Sequence, residues 1–92
     1  MKMPKLLPIG SVVTLVNGEK KVMIVGRFQR HEKAQKIFDY SAVLWPEGYL
    51  DSRHVYLFDH SDIEKVYFVG FNNEEEDLFK EILEEEYEKC KS

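Results

Sequence analysis

Apolar and polar positions alternate through most of the chain and switch to a helical period only near its end. The first alternation runs from Ser11 to Val16 and resumes from about Lys20 to Gln29. Asn17-Gly18 separates the two runs, and both residues tolerate the positive φ of a tight hairpin turn. A two-residue and a four-residue turn both fit. Either register places Val13, Leu15, Val22 and Ile24 on one face, so that face is the expected core. Gly26 on it suggests a bulge or a close backbone approach, and Phe28 continues it. The other face carries Thr14, Lys21, Met23, Val25, Arg27 and Gln29, a mixed surface expected to be partly covered and partly wet. Ahead of the hairpin, Pro4 and Pro8 keep residues 1–8 irregular, because proline lacks an N–H and biases its predecessor toward extended backbone.

Arg30 to Lys36 is polar and reads as a loop. Phe38 to Trp45 reads as a third strand, apolar on both faces and therefore central, with Asp39 and Ser41 near a wet end. Pro46-Glu47-Gly48 breaks it with turn chemistry. Tyr49 to Arg53 is a loop, and Val55 to Phe58 a short fourth strand. Ser61 and Glu64 have capping-box spacing, which predicts one helical turn. Val66 to Phe71 reads as the fifth strand. Asn72-Asn73 then caps a helix whose first turn holds Glu74, Glu75, Glu76 and Asp77, the sign the helix dipole favours there. Leu78, Phe79, Ile82, Leu83 and Tyr87 form one stripe expected to pack on the sheet.

These elements predict one α+β domain over 1–92, with a strand-rich body over 9–71 and a C-terminal amphipathic helix over 73–90. The sheet is twisted, mostly antiparallel and of about five strands; the strand signals leave open whether it curls into a small barrel. A chain of 92 residues buries about 60–65 % of its unfolded surface, enough for one modest core.

Charge sharpens this picture. Residues 1–72 hold ten basic and eight acidic residues, and 73–92 hold three and nine, so a body of +2 carries a helical end of −6. General nucleic-acid binding, which needs a dense basic patch, is disfavoured. The single Cys90 forms no internal disulfide, and a reducing, cytoplasmic setting is expected. No apolar run approaches the roughly 20 residues of a membrane span, so no membrane is expected as a partner.

Candidate chemistry is sparse. His31, His54 and His60 have no metal-ligand spacing, so no metal or other cofactor is expected. Asp51, Asp59 and Asp62 lie in turn-like sequence, where aspartate serves local hydrogen bonds. Cys90 sits in a polar tail without an electropositive setting. The five glycines are isolated, and none forms a phosphate loop. The best RNA-binding case combines Lys20, Lys21, Arg27 and Arg30 with Phe28 and Tyr40. A protein-binding surface fits more easily. Tyr40, Trp45 and Tyr49 flank the Pro-Glu-Gly turn, Arg27 is the fourth candidate, and Trp, Tyr and Arg are the usual interface anchors. Trp45 is expected to plug one end of the core, and Tyr49 to be the more exposed anchor.

Five short motifs occur in order: Leu7-Pro-Ile-Gly-Ser-Val-Val13; Lys21-Val-Met-Ile-Val-Gly-Arg27 with Gln29; Phe38-Asp-Tyr40; Trp45-Pro-Glu-Gly-Tyr49; and Phe58-x-His60 before Ile63-x-x-Val66. In this series the chain resembles a family of small proteins of unknown function from Gram-positive bacteria. Members are commonly encoded beside LXG-type toxins of the type VII secretion system. The resemblance runs from about Leu7 to the C-terminal helix. It implies a non-enzymatic accessory role, a cytosolic chaperone or adaptor that binds a secreted toxin or its targeting factors before export. The alternatives are an immunity protein that neutralises the toxin directly and a small-barrel RNA-binding module. A homodimer is compatible with all three.

Overall fold

The computed structural model describes residues 3–31, 33 and 36–91. Residues 32, 34 and 35 of the Arg30–Lys36 connector, and the side chains of His31, Cys90 and Lys91, lie outside the described residues. Five antiparallel strands and one helix form the α+β domain: β1 (Val12–Leu15), β2 (Val22–His31), β3 (Lys36–Leu44), β4 (Val55–Phe58), β5 (Ile63–Phe68) and α1 (Glu74–Lys91). Their order across the sheet is β4-β3-β2-β1-β5.

β4 and β5 therefore occupy opposite edges, yet residues 59–62 alone connect them. A five-strand sheet is about 19 Å across when flat. A link of five Cα steps spans at most about 17 Å, and a 3-10 turn at His60–Asp62 shortens it further. The sheet must curl. It does not close, since no ladder joins β4 to β5 among the described residues.

The hairpin register is that of the two-residue turn. Val12 pairs with Met23 and Val13 with Val22, and Asn17 takes the positive φ, 66°. Val13, Val22 and Ile24 are buried in one core cluster with Leu6, Tyr40, Ala42, Phe58 and Leu83, and Leu15 packs against it. Two alternate positions, Val12 and Val43, are buried too. Val12 sits between Met23 and Phe68, and Val43 between Met23 and Val55.

Several boundaries differ from the sequence expectation. Arg30, His31 and Lys36 are strand residues, because β2 and β3 form a long ribbon that pairs Arg30 with Ile37 and His31 with Lys36. β5 starts three residues earlier than its apolar run, at Ile63, which pairs with Leu15. The turn after β4 is capped by the Asp62 carboxylate, which accepts the Asp59 N–H at 2.9 Å, and not by Glu64. Asp39 and Ser41, expected near a wet end, are buried.

The β2 bulge has the largest consequence. The register slips between Ile24 and Gly26, and beyond it Arg27 pairs with Tyr40. One inserted residue inverts the alternation at Arg27, while Phe28, at φ 54°, keeps its side chain against the core. Arg27, expected on the mixed face, instead turns toward α1 and is buried.

The helix is rotated relative to its apolar stripe. Asn73 Oδ1 accepts the Glu76 N–H at 3.2 Å, the expected N-cap. Glu76, Lys80, Leu83 and Tyr87 form the less accessible row, while Leu78, Phe79 and Ile82 stay exposed. The reason is electrostatic. Both Arg27 Nη atoms donate to the two Glu76 carboxylate oxygens, a bidentate pair with side chains 3 % and 10 % exposed. A buried guanidinium needs its carboxylate more than an apolar row needs cover, so Glu76 faces the sheet.

Candidate protein-binding surfaces

A polar network lies beneath the surface and joins four segments of chain. The Leu7 N–H donates to Tyr40 Oη at 2.9 Å, and Arg27 Nη1 reaches Leu7 O at 3.4 Å. Tyr40 Oη lies 2.6 Å from His60 Nδ1. Because the Tyr40 oxygen already accepts from Leu7, its own proton is free to donate to Nδ1, which in a neutral imidazole leaves the ring proton on Nε2. The His60 N–H donates to Asp39 Oδ2 at 2.9 Å, and the Asp39 N–H to Asp59 Oδ1 at 3.1 Å. The network pins the lead-in segment and the β4–β5 link onto the sheet, and so holds the curl. Residues 3–8 lack regular structure, as expected, but Leu6 is 2 % exposed and belongs to the core. The apolar pair Leu6-Leu7 between two prolines was the available signal.

Burial pushes the Tyr40 phenol up to about 12; the Leu7 N–H opposes the shift, and the Asp39 carboxylate adds to it. An unfolded tyrosine ionises near pH 10. The folded chain therefore keeps a proton that the unfolded chain loses, and stability falls as pH rises from about 10 to 12. The loss is about 3 kcal/mol at most. Absorbance titration is expected to show one of the five tyrosines ionising near pH 12. Tyr40→Phe removes that late transition, and at pH 7 it lowers the urea midpoint by the equivalent of about 1–2 kcal/mol through the lost hydrogen bonds.

The four anchors expected from sequence separate into two groups. Tyr40 and Arg27 are buried and belong to the fold, and Arg27 also lines a groove along α1. Their burial also removes two members of the RNA-binding set. Trp45 and Tyr49 are at the surface, 44 % and 67 % exposed, and Trp45 does not plug the core. Leu44 ends β3, and the chain turns through a cis Trp45–Pro46 bond to Gly48. The Gly48 N–H donates to Leu44 O at 2.7 Å, and Gly48 has φ 82°. This backbone carries Trp45 outward. Lys20 Nζ, 2.7 Å from Glu47, holds the Glu47 carboxyl below its usual range.

The surface that sequence reasoning missed lies along α1. A groove of about 370 Å³ runs between the helix and the β2–β3 ribbon. Phe28, Ile37, Phe79, Ile82, Leu83 and Tyr87 line it, and Arg30 and Glu86 add charge. Phe28 stacks on Tyr87 at 5.7 Å between ring centroids, with its backbone at φ 54°. Arg27 lies 5.4 Å from the Phe79 ring centroid, so the buried ion pair also positions one wall. The apolar stripe of α1 is the groove's signal in the sequence, although that spacing by itself predicts a buried row.

Among the described residues no group of three His, Cys, Asp or Glu could hold a metal ion, and no helix is long and apolar enough to cross a membrane. The protein is an open, curled five-stranded α+β domain with a C-terminal helix and an apolar groove between the two. Residues 6–79 match the family model described as a domain of unknown function, DUF4176, and the chain belongs to that family. The match covers the whole sheet and the start of α1. Leu83 and Tyr87, which hold the helix down, lie beyond it. Neither a curated protein nor a solved structure matches the chain.

Proposed function

We propose that the protein is a non-enzymatic accessory binding protein, a cytosolic chaperone or adaptor for an LXG toxin of type VII secretion. The observation that carries the reading is the α1 groove, whose apolar rim (Phe79 and Ile82) is exposed beside a rigid, ion-paired floor. An exposed apolar surface next to a preformed concavity is what a protein partner covers. The motif series described above supports the choice of client. An apolar segment of the toxin seats in the groove, so that neither surface aggregates before export.

Co-expression with an LXG toxin encoded beside this gene tests the reading. The toxin is expected to co-purify with the protein and to gain soluble yield. Ile82→Glu is expected to weaken capture at least tenfold, since a charge placed at an interface anchor loses burial and adds desolvation. Its thermal midpoint stays unchanged, because Ile82 is exposed. No co-purification, with no change in toxin solubility or export, overturns the proposal. The exposed acidic residues Glu84, Glu85 and Glu88 favour a second reading, an immunity protein that occludes a basic toxin site. That reading requires the protein to rescue cells from the isolated toxin domain, which a chaperone need not do.

A further inference from the structure

The apolar row that α1 leaves uncovered is bordered by carboxylates. Leu78, Phe79 and Ile82 are its exposed apolar residues. Glu75 stands four residues before Phe79 and Glu86 four after Ile82, so both fall on the row and close its two ends. Glu81 and Glu85 follow Leu78 and Ile82 by three residues and border the row on the side away from the sheet. All four glutamates are exposed. Among the described residues Glu75, Glu81 and Glu85 have no cation within ion-pair distance, and Glu86 has only Lys89, 3.9 Å away on the same helix. On the opposite wall of the groove Phe28 and Ile37 are apolar, and Arg30 has no carboxylate within ion-pair distance among the described residues.

We infer that the α1 groove takes a basic amphipathic helix of a protein partner. Apolar side chains of that helix at helical spacing fill the groove, and lysines or arginines along one flank meet Glu81 and Glu85. This builds on the proposed binding role of the groove and adds the chemistry of the occupant. Charge decides its sign. The −6 carried by residues 73–92 repels nucleic acid and anionic lipid alike and attracts a cationic segment. Shape decides its conformation. One wall is itself a helix, with Leu78 and Ile82 four residues apart and Phe79 and Ile82 three apart. Such rows are the ridges between which the side chains of a second helix pack. A helix also enters an apolar groove with its own N–H and C=O groups already bonded, which an extended segment achieves only by pairing with a strand.

From Glu75 to Glu86 the helix rises about 16 Å, so a partner helix of about three turns spans the site. Arg30 orients it. The basic flank faces α1, and the flank toward the ribbon is apolar or acidic.

Isothermal titration calorimetry of the full chain tests the inference with designed peptides of about 18 residues. The first places leucines on one helical face with lysines beside them. The second has glutamate in place of lysine. The third scrambles the lysine peptide so that no face is apolar. The lysine helix is expected to bind with a micromolar Kd, about tenfold more tightly than either of the others, and to gain helical circular dichroism on binding. Glu81→Lys/Glu85→Lys weakens it about tenfold and makes the glutamate helix the preferred ligand. The thermal midpoint of that variant holds, because both side chains are exposed. Equal binding of the scrambled peptide overturns the inference, since charge alone then accounts for it. Binding of the lysine helix that Glu81→Lys/Glu85→Lys leaves unchanged overturns it too. If no peptide binds while a co-expressed toxin is captured, the inference is overturned and the client reading stands. If the lysine helix binds as expected and no toxin is captured, the client reading fails and the preference of the groove stands.

Discussion

Arg27→Met is expected to destabilise the fold by about 3–5 kcal/mol, the cost of leaving one half of a buried ion pair uncompensated. That is a large part of the roughly 5–15 kcal/mol that holds a small domain together. The guanidinium is 3 % exposed and makes the bidentate contact with Glu76, a third bond to Leu7 O, and the face contact with Phe79. Removing it leaves the Glu76 carboxylate with Lys80 Nζ, 3.9 Å away on the same helix, as its remaining cation, and frees α1 to rotate. Desolvation of the pair makes the loss asymmetric, because two charges removed together cost far less than one. Arg27→Met/Glu76→Leu is therefore expected to recover most of the stability, and Glu76→Gln to fall between. Urea denaturation followed by far-ultraviolet circular dichroism gives the midpoints. If the single and double variants lose the same amount, the pair is not what anchors the helix.

Gly70→Ala is expected to cost about 2–4 kcal/mol, within the range of a backbone clash that cannot relax. A Cβ at Gly70 would stand 2.0 Å from Ile9 O and 2.8 Å from Ile9 C. Those are backbone atoms, so no rotamer change relieves the overlap. Gly70 also donates its N–H to the buried Ser11 Oγ at 3.0 Å, and Ser11 Oγ in turn donates to Pro8 O at 2.8 Å. Forcing the segments apart breaks both bonds and lifts the lead-in from the sheet, taking Leu6 out of the core. Gly48→Ala is the control. Nothing lies within 4 Å of a Cβ there, and only its φ of 82° opposes the change, for about 1 kcal/mol. Thermal midpoints that rank Gly70→Ala no lower than Gly48→Ala would contradict this account.

Both predictions concern residues whose part was hidden in the sequence. Gly70 looked like an interruption in an apolar strand; it is where the strand's exit crosses the Ile9-Gly10 turn. Arg27 looked like a surface anchor because alternation from Val22 placed it on the mixed face. A one-residue bulge reversed that assignment, and a bulge leaves the composition unchanged. Tyr40 was offered as an anchor for its chemistry, but its place beside Phe58 on a central strand buries it. Trp45 was expected inside on the strength of residue type alone, and the turn at Pro46–Gly48 carried it out.

By itself the sequence determined the fold class, the presence of five strands and one helix, the helix cap at Asn72-Asn73 and the core positions Val13, Val22 and Ile24, whereas it left two hairpin registers open. These follow from local chemistry: side-chain period, φ tolerance, and acceptors placed to satisfy a helix's first N–H groups. Tertiary structure alone decided the strand order, the curl, the rotation of α1 and therefore which apolar residues remain uncovered. Those outcomes depend on partners far apart in the chain: Ile63 beside Leu15, Glu76 beneath Arg27, Gly70 against Ile9. The helix's apolar stripe was legible from its spacing. That it lies half outside the core was not, because a buried charge from another strand claimed the inward face.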